Sequence, residues 1–220
     1  MMRILLVVAT LALATAACRE AGETVITAPP GPKPAPAITP ALSVGCMTPF
    51  LATATRAELA AAFGPENVVQ QTVDAPEGER LAVTVLYPND PEKRAEIVFA
   101  DDAAGTGLSG VMVSGADSEW SGPSGMKAGD PVDAVERANG GVFMIAGFNW
   151  DYGGYVTDWK GGQLQEAVPG CRTVVRFTSG QDGETAKVMG EKSHQSDSAG
   201  MRAAMPKVVR FGITWSTPPQ

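Results

Sequence analysis

The hydrophobic positions of this chain change period several times, and the changes mark its elements. An apolar stretch comes first, Ile4 to Ala14 behind Arg3, interrupted only by Thr10 and closed by Thr15, Ala16, Ala17 and Cys18. It is too short to span a bilayer as a permanent helix, which needs about 20 apolar residues. Residues 19–45 then lose large apolar side chains and crowd in Pro29, Pro30, Pro32, Pro34, Pro36 and Pro40. Helical spacing begins at Thr55. Thr55-Arg56-Ala57-Glu58 has the hydroxyl and carboxylate of a capping box, Leu59, Ala60 and Phe63 make one apolar face, and Gly64-Pro65 is a stop signal. Period two follows. Leu81, Val83, Val85 and Tyr87 share one side, Pro88 to Pro91 form a turn, and residues 95–100 and 111–113 read as further strands. A second helix is signalled by Asp130-Pro131 as cap and first-turn proline, then Val132, Val135 and Ala138, with Asn139-Gly140 as the stop. Strands are expected at 142–148, 153–159 and 173–178, a polar mobile loop at 179–200, and a last strand in which Val209, Phe211, Ile213 and Trp215 alternate with Val208, Arg210, Gly212 and Thr214.

This order predicts an α+β fold: an antiparallel β-sheet with two short helices. A loose internal duplication accompanies it. Aligning Gly64 with Gly140 sets Leu59 on Val135, which suggests two tandem helix-plus-strands repeats. The expected boundaries are a signal peptide at 1–17, a lipidated cysteine and proline-rich tether at 18–45, one α+β domain at 46–216 and a tail at 217–220. Gly125-Met126, with Asp130, Val132, Val135 and Gly140, resembles the helix of small helix-plus-meander modules. These are of the β-lactamase-inhibitor-protein type and of the type of the small lipoprotein in the outer-membrane assembly machine. The chain departs from that pattern at Lys127, where threonine is usual, and no proline follows Gly140. The resemblance implies a binding protein rather than an enzyme.

The leader has the layout of a secretory signal: a positive start, a short apolar core and small residues. The cysteine after them resembles the bacterial lipoprotein signal, in which that residue, here Cys18, is lipidated with palmitate-type chains. Thr15 stands where that signal usually has a larger aliphatic. Ordinary cleavage after Ala14-Thr15-Ala16 is the alternative, leaving Cys18 as an odd thiol. Arg19, rather than aspartate, follows Cys18, which favours the outer membrane under the enteric sorting rule. A polyproline-like tether at about 3 Å per residue would give roughly 80 Å of reach. With Cys18 lipidated, Cys46 and Cys171 remain as an even pair in an oxidising compartment and are expected to form a disulfide; two separate buried thiols are the alternative.

Composition narrows function by exclusion. A formal charge of −7 disfavours nucleic acid and a broad electrostatic grip on anionic lipid, so the membrane partner is reached through the lipid anchor. Gly105-Thr106-Gly107-Leu108-Ser109-Gly110 spells a dinucleotide fingerprint, but the strand-like Val111-Met112-Val113 follows where a helix N-terminus is required, so a flexible loop is expected. His194 is the only histidine, in a polar stretch unsuited to hold a catalytic base, and one histidine does not supply the usual zinc set. Asp101, Asp102, Asp117 and Glu119 lack the spacing of a calcium loop and read as solvated turns. No metal and no cofactor is expected. The one dense constellation is Phe148 to Trp159. Asn149, Trp150, Asp151, Tyr152, Tyr155, Asp158 and Trp159 form the candidate binding surface, because aromatics beside amides and carboxylates make good recognition platforms. The bland alternative is a core hairpin with Phe148, Trp150 and Tyr152 inward. The leading expectation is a lipid-anchored cell-envelope protein on the periplasmic face, not an enzyme, that binds another envelope protein or peptidoglycan. The alternatives are a cell-wall enzyme using Asp151 and Asp158 as a carboxylate pair, and a structural lipoprotein without a discrete ligand.

Overall fold

The computed structural model describes residues 41–74, 78–166, 168–180 and 185–216. Cys18, the signal peptide, most of the tether and the 217–220 tail lie outside these residues. The fold class is α+β. Six antiparallel strands form the main sheet: β1 (Val68–Asp74), β2 (Arg80–Leu86), β3 (Ala95–Asp101), β4 (Thr106–Ser114), β7 (Cys171–Thr178) and β9 (Lys207–Trp215), in the order β1-β2-β3-β4-β9-β7. A three-stranded sheet is built from β5 (Met144–Ala146), β6 (Val156–Asp158) and β8 (Ser193–Gln195), with β5 central. Three short helices pack with them: α1 (Arg56–Phe63), α2 (Val132–Asn139) and α3 (Ala199–Ala204).

One face of the main sheet carries the core. Ile97, Phe99, Val111, Val113, Phe211 and Ile213 are buried there in one cluster with Trp120 and the apolar sides of the helices. The shared side of Leu81, Val83 and Val85 is the opposite face. Thr84 lies across from Ile97 and Leu86 from Ala95, so these two residues of β2 face the core. Tyr87 leaves the alternation: its φ of 50° ends the strand, and its ring meets Phe63 at 6.1 Å. At the far end of β9 a register shift between Arg176 and Phe177 skips Val209, so Val208 is the buried residue there.

The capping box of α1 is present in both directions, Thr55 to Glu58 and back. The glycine run at 105–110 is a tight turn and the start of β4 rather than a flexible loop. Gly105 (φ +66°) lets the first turn of α1 sit against it: the Arg56 N–H donates to its carbonyl at 2.8 Å, and a Cβ there would lie 2.8 Å from the Arg56 Cβ. The second helix is not capped by Asp130. That carboxylate accepts from the Lys127 N–H at 2.8 Å, closing the preceding turn, and extended Pro131 takes the boundary position. Gly140 ends α2 in the left-handed conformation, as its sequence signal predicts.

The 179–200 stretch is not simply a polar loop. Among its described residues are a short 3-10 turn (Ala186–Val188), β8 and the start of α3. Val188 is buried, and so are Thr185 and Ser196, whose hydroxyl accepts from the Phe143 N–H at 3.1 Å, so both apolar and polar residues anchor the stretch. The folded unit also starts before Cys46. Val44 is buried, and its N–H donates to Ser121, while the Leu42 carbonyl accepts from the Ser121 N–H. Cys46 and Cys171 form a disulfide, tying this entry segment to the start of β7. The two halves of the chain are not equivalent. Four strands follow α1 as a meander, whereas those after α2 divide between two sheets and β9 inserts between β4 and β7.

Candidate functional site

The core covers one face of the main sheet, and the other face holds a groove of about 480 Å³. It crosses the sheet, with lining residues on every strand from β1 to β7 and on the loop between β5 and β6. That loop is the aromatic constellation singled out by sequence.

Phe148 enters the core, pinned by hydrogen bonds to Val188 and Gly190. Asn149 then adopts a φ of 63°, which breaks the alternation that would carry Trp150 and Tyr152 inward. Trp150 is half-buried and donates its indole N–H to the Gly147 carbonyl at 2.8 Å, while Tyr152 is 48% exposed and meets the Trp150 ring edge-on at 5.5 Å. Gly154 brings the loop onto β7. The Phe177 N–H donates to its carbonyl at 2.8 Å, and a Cβ at Gly154 would lie 2.0 Å from the Phe177 carbonyl oxygen. Tyr155 pairs with Arg176, whose guanidinium stands 5.1 Å above the Tyr155 ring. Arg176 also donates to the carbonyls of Gly153 (2.9 Å) and Asp151 (3.3 Å), and so fastens the loop to the sheet.

A polar rail runs along one side of the groove. Glu96 accepts from Arg94 at 3.3 Å and from Arg210 at 3.2 Å, and Arg94 reaches on to Gln71 at 3.4 Å. Arg210 lies directly across from Arg176 in the β7–β9 pair. The floor beside the rail is apolar, with Met112, Val98, Val83 and Leu81.

The candidate residues therefore divide. Trp150, Asp151 and Tyr155 line the groove together. Asn149 lines a neighbouring hollow of about 220 Å³ with Ser179 and Val209. Tyr152 stands against Trp150 at the surface. Asp158 and Trp159 line a separate hollow of about 330 Å³ with Arg172 and Glu166. Trp159 is chiefly a core residue, 7% exposed, with its indole N–H donating to Thr173 and its ring 5.1 Å from Phe143. Asp151 and Asp158 thus line different cavities. Asp158 accepts from the Lys160 N–H at 2.7 Å and pairs with its ammonium at 3.0 Å; these contacts hold its carboxyl below the usual range, opposite to what a general acid needs. His194 sits on β8 opposite Ile145. Burial, and secondarily the charge of Lys192, lowers its pKa.

Sequence reasoning missed Arg176, Arg210, Glu96 and the apolar floor. The available signal was alternation: Arg172 and Arg176 interleave with inward Thr173, Val175 and Phe177. Nothing in the linear order says that β9 lies beside β7 and aligns Arg210 with Arg176.

Comparison with protein families, with curated proteins and with solved structures yields no match for this chain.

Proposed function

We propose that this protein is a lipid-anchored component of the bacterial cell envelope whose domain binds its partner without chemistry, through the groove on the open face of the main sheet. Cys18 carries the lipid, the proline-rich segment gives reach, and the domain stands on the periplasmic side of a membrane, the outer one by the Arg19 criterion. The observation that carries the binding reading is the groove itself: a sheet face left open, with half-buried Trp150 and Tyr155 fixed at one end by Arg176 and a row of apolar side chains along its floor. Half-exposed aromatics on a rigid frame suit recognition, because they bury large area at small entropic cost. The separation of Asp151 and Asp158 into different cavities gives the cell-wall-enzyme alternative no support from this pair.

Two measurements in cells test this. Cys18→Ser should move the protein from membranes to the soluble periplasmic fraction; retention in membranes would sink the anchor. A photoreactive residue at position 98, in the groove floor, should capture an envelope component, protein, glycan or lipid, that the same residue at exposed position 61 on α1 does not. Equal labelling from both positions would overturn the groove as the binding site.

A further inference from the structure

The groove has two unlike ends, and their difference selects a ligand. At the loop end, Arg176 and Arg210 are cross-strand neighbours on one face. Like charges placed directly opposite destabilise a sheet, so the pair is held there against its own repulsion. Glu96 compensates Arg210 and also serves Arg94, whereas Arg176 has no carboxylate within 4.0 Å among the described residues. Arg176 and Arg210 share this end with Glu96 and exposed Asp151, and Asp74 lines the far end, so the lining carries no surplus of positive charge and what stands out is Arg176, the groove arginine without a carboxylate partner among the described residues. Arg176 itself is immobilised by two carbonyls and the Tyr155 ring through Nε and Nη2. This is a guanidinium oriented in advance with its charge unmet, the arrangement that recognises a carboxylate.

Beyond that end the floor becomes apolar, with Met112 on β4, Val98 on β3 and Leu81 on β2 above buried Val83, as far as Val73 and exposed Asp74 on β1. Met112 and Val98 belong to the β3–β4 ladder and Val83 and Leu81 to the β1–β2 ladder, so a peptide laid across this face meets side chains rather than the free edge of a sheet. A sugar needs amide, hydroxyl or carboxylate partners for its own hydroxyls, and this run offers none. A hydrocarbon chain needs only apolar surface. From β7 to β1 there are five interstrand steps, about 24 Å at the usual spacing. Half of a bilayer's hydrocarbon core is about 15 Å, so a membrane-length acyl chain fits within the groove.

We infer that the groove binds a long-chain fatty acid, its carboxylate against Arg176 and Arg210 and its chain laid across β4, β3 and β2. This rests on the groove being the binding site, and it names the class of ligand. A monoanion matches the one groove guanidinium that lacks a carboxylate partner among the described residues.

The test uses the full-length chain carrying Cys18→Ser, so that no attached lipid competes, and measures equilibrium binding of palmitate, hexadecanol and octanoate. Palmitate should bind roughly tenfold more tightly than hexadecanol, the worth of a charge-assisted contact, and octanoate should bind more weakly than palmitate. In Arg176→Gln the palmitate preference should fall to about onefold. Because Arg176 also holds the loop, Arg210→Gln provides the same test if Arg176→Gln loses its near-UV circular dichroism. Val98→Glu should weaken palmitate and hexadecanol alike. A palmitate preference absent from the starting protein, or unchanged in both arginine variants, overturns the inference. If palmitate does not bind but position 98 still captures a component in cells, the fatty-acid inference fails and the binding reading stands.

Discussion

Removing the Cys46–Cys171 bridge should cost this domain a large part of its stability. The bond joins residues 125 apart in sequence, so it closes a loop containing most of the folded unit. Loop-closure entropy for that length corresponds to about 5 kcal/mol at 25 °C. Replacing both residues by alanine also removes two sulfur atoms, one of them on fully buried Cys171, worth about 1 kcal/mol more. Total stabilities of domains are about 5–15 kcal/mol, so the double variant should be marginal. Its folded state should nonetheless look native, because the entry segment has other ties. The Trp215 indole donates to the Phe50 carbonyl at 2.9 Å, and the Phe50 ring stacks on Phe63 at 5.8 Å and lies 6.0 Å from Trp120. The assay is urea unfolding of the oxidised protein and of Cys46→Ala/Cys171→Ala, with near-UV circular dichroism on the folded forms. A stability loss below about 2 kcal/mol with native-like spectra would refute the reasoning, since the bridge would then not be restricting the unfolded chain.

Three further outcomes are expected. His194 has a pKa lowered first by burial and then by Lys192, and its buried Nε2 has no hydrogen-bond partner among the described residues. The unfolded chain therefore takes up this proton first on acidification. Stability should be full above the ordinary histidine pKa of about 6.5 and should fall as pH drops through it, so Tm should decline from pH 7.5 to 5.5. His194→Gln should remove that part of the decline, and equal slopes in both proteins would count against it. Gly154→Ala should destabilise by about 2–4 kcal/mol and displace the 149–155 loop, since its Cβ would lie 2.0 Å from a carbonyl oxygen at a φ of +79°; thermal unfolding and tryptophan emission report both effects. Thr55→Ala should cost about 1 kcal/mol and Thr55→Ser much less, as the capping box needs only the hydroxyl; equal losses in urea midpoint would point to the methyl group instead.

The elements legible in the sequence were those whose determinants are local. The capping box and glycine stop of α1 depend on neighbours within one turn, and both are present as expected. The glycine stop of α2 is likewise present, but its start is not: Asp130 finds a competing donor in Lys127, a choice made by the shape of the preceding turn. The pairing of Cys46 with Cys171, expected from cysteine parity, is present. The residues of the aromatic cluster divide among three cavities and the core: the positive φ at Asn149 breaks the period of two for Trp150 and Tyr152, while Asp158 and Trp159 lie past the loop, at and just after the end of β6.

By itself, the sequence determined the α+β class, the two predicted helices and most of the strands, since each is written in the spacing of apolar and polar side chains along a short stretch. The tertiary structure decided which face of each strand meets the core, that β9 enters between β4 and β7, and that Arg176 and Arg210 stand opposite one another beside an apolar floor. The physical reason is that strand pairing joins residues far apart in the chain. Alternation says that two faces exist; only the neighbours supplied by the fold say which face is covered and which is left open to bind.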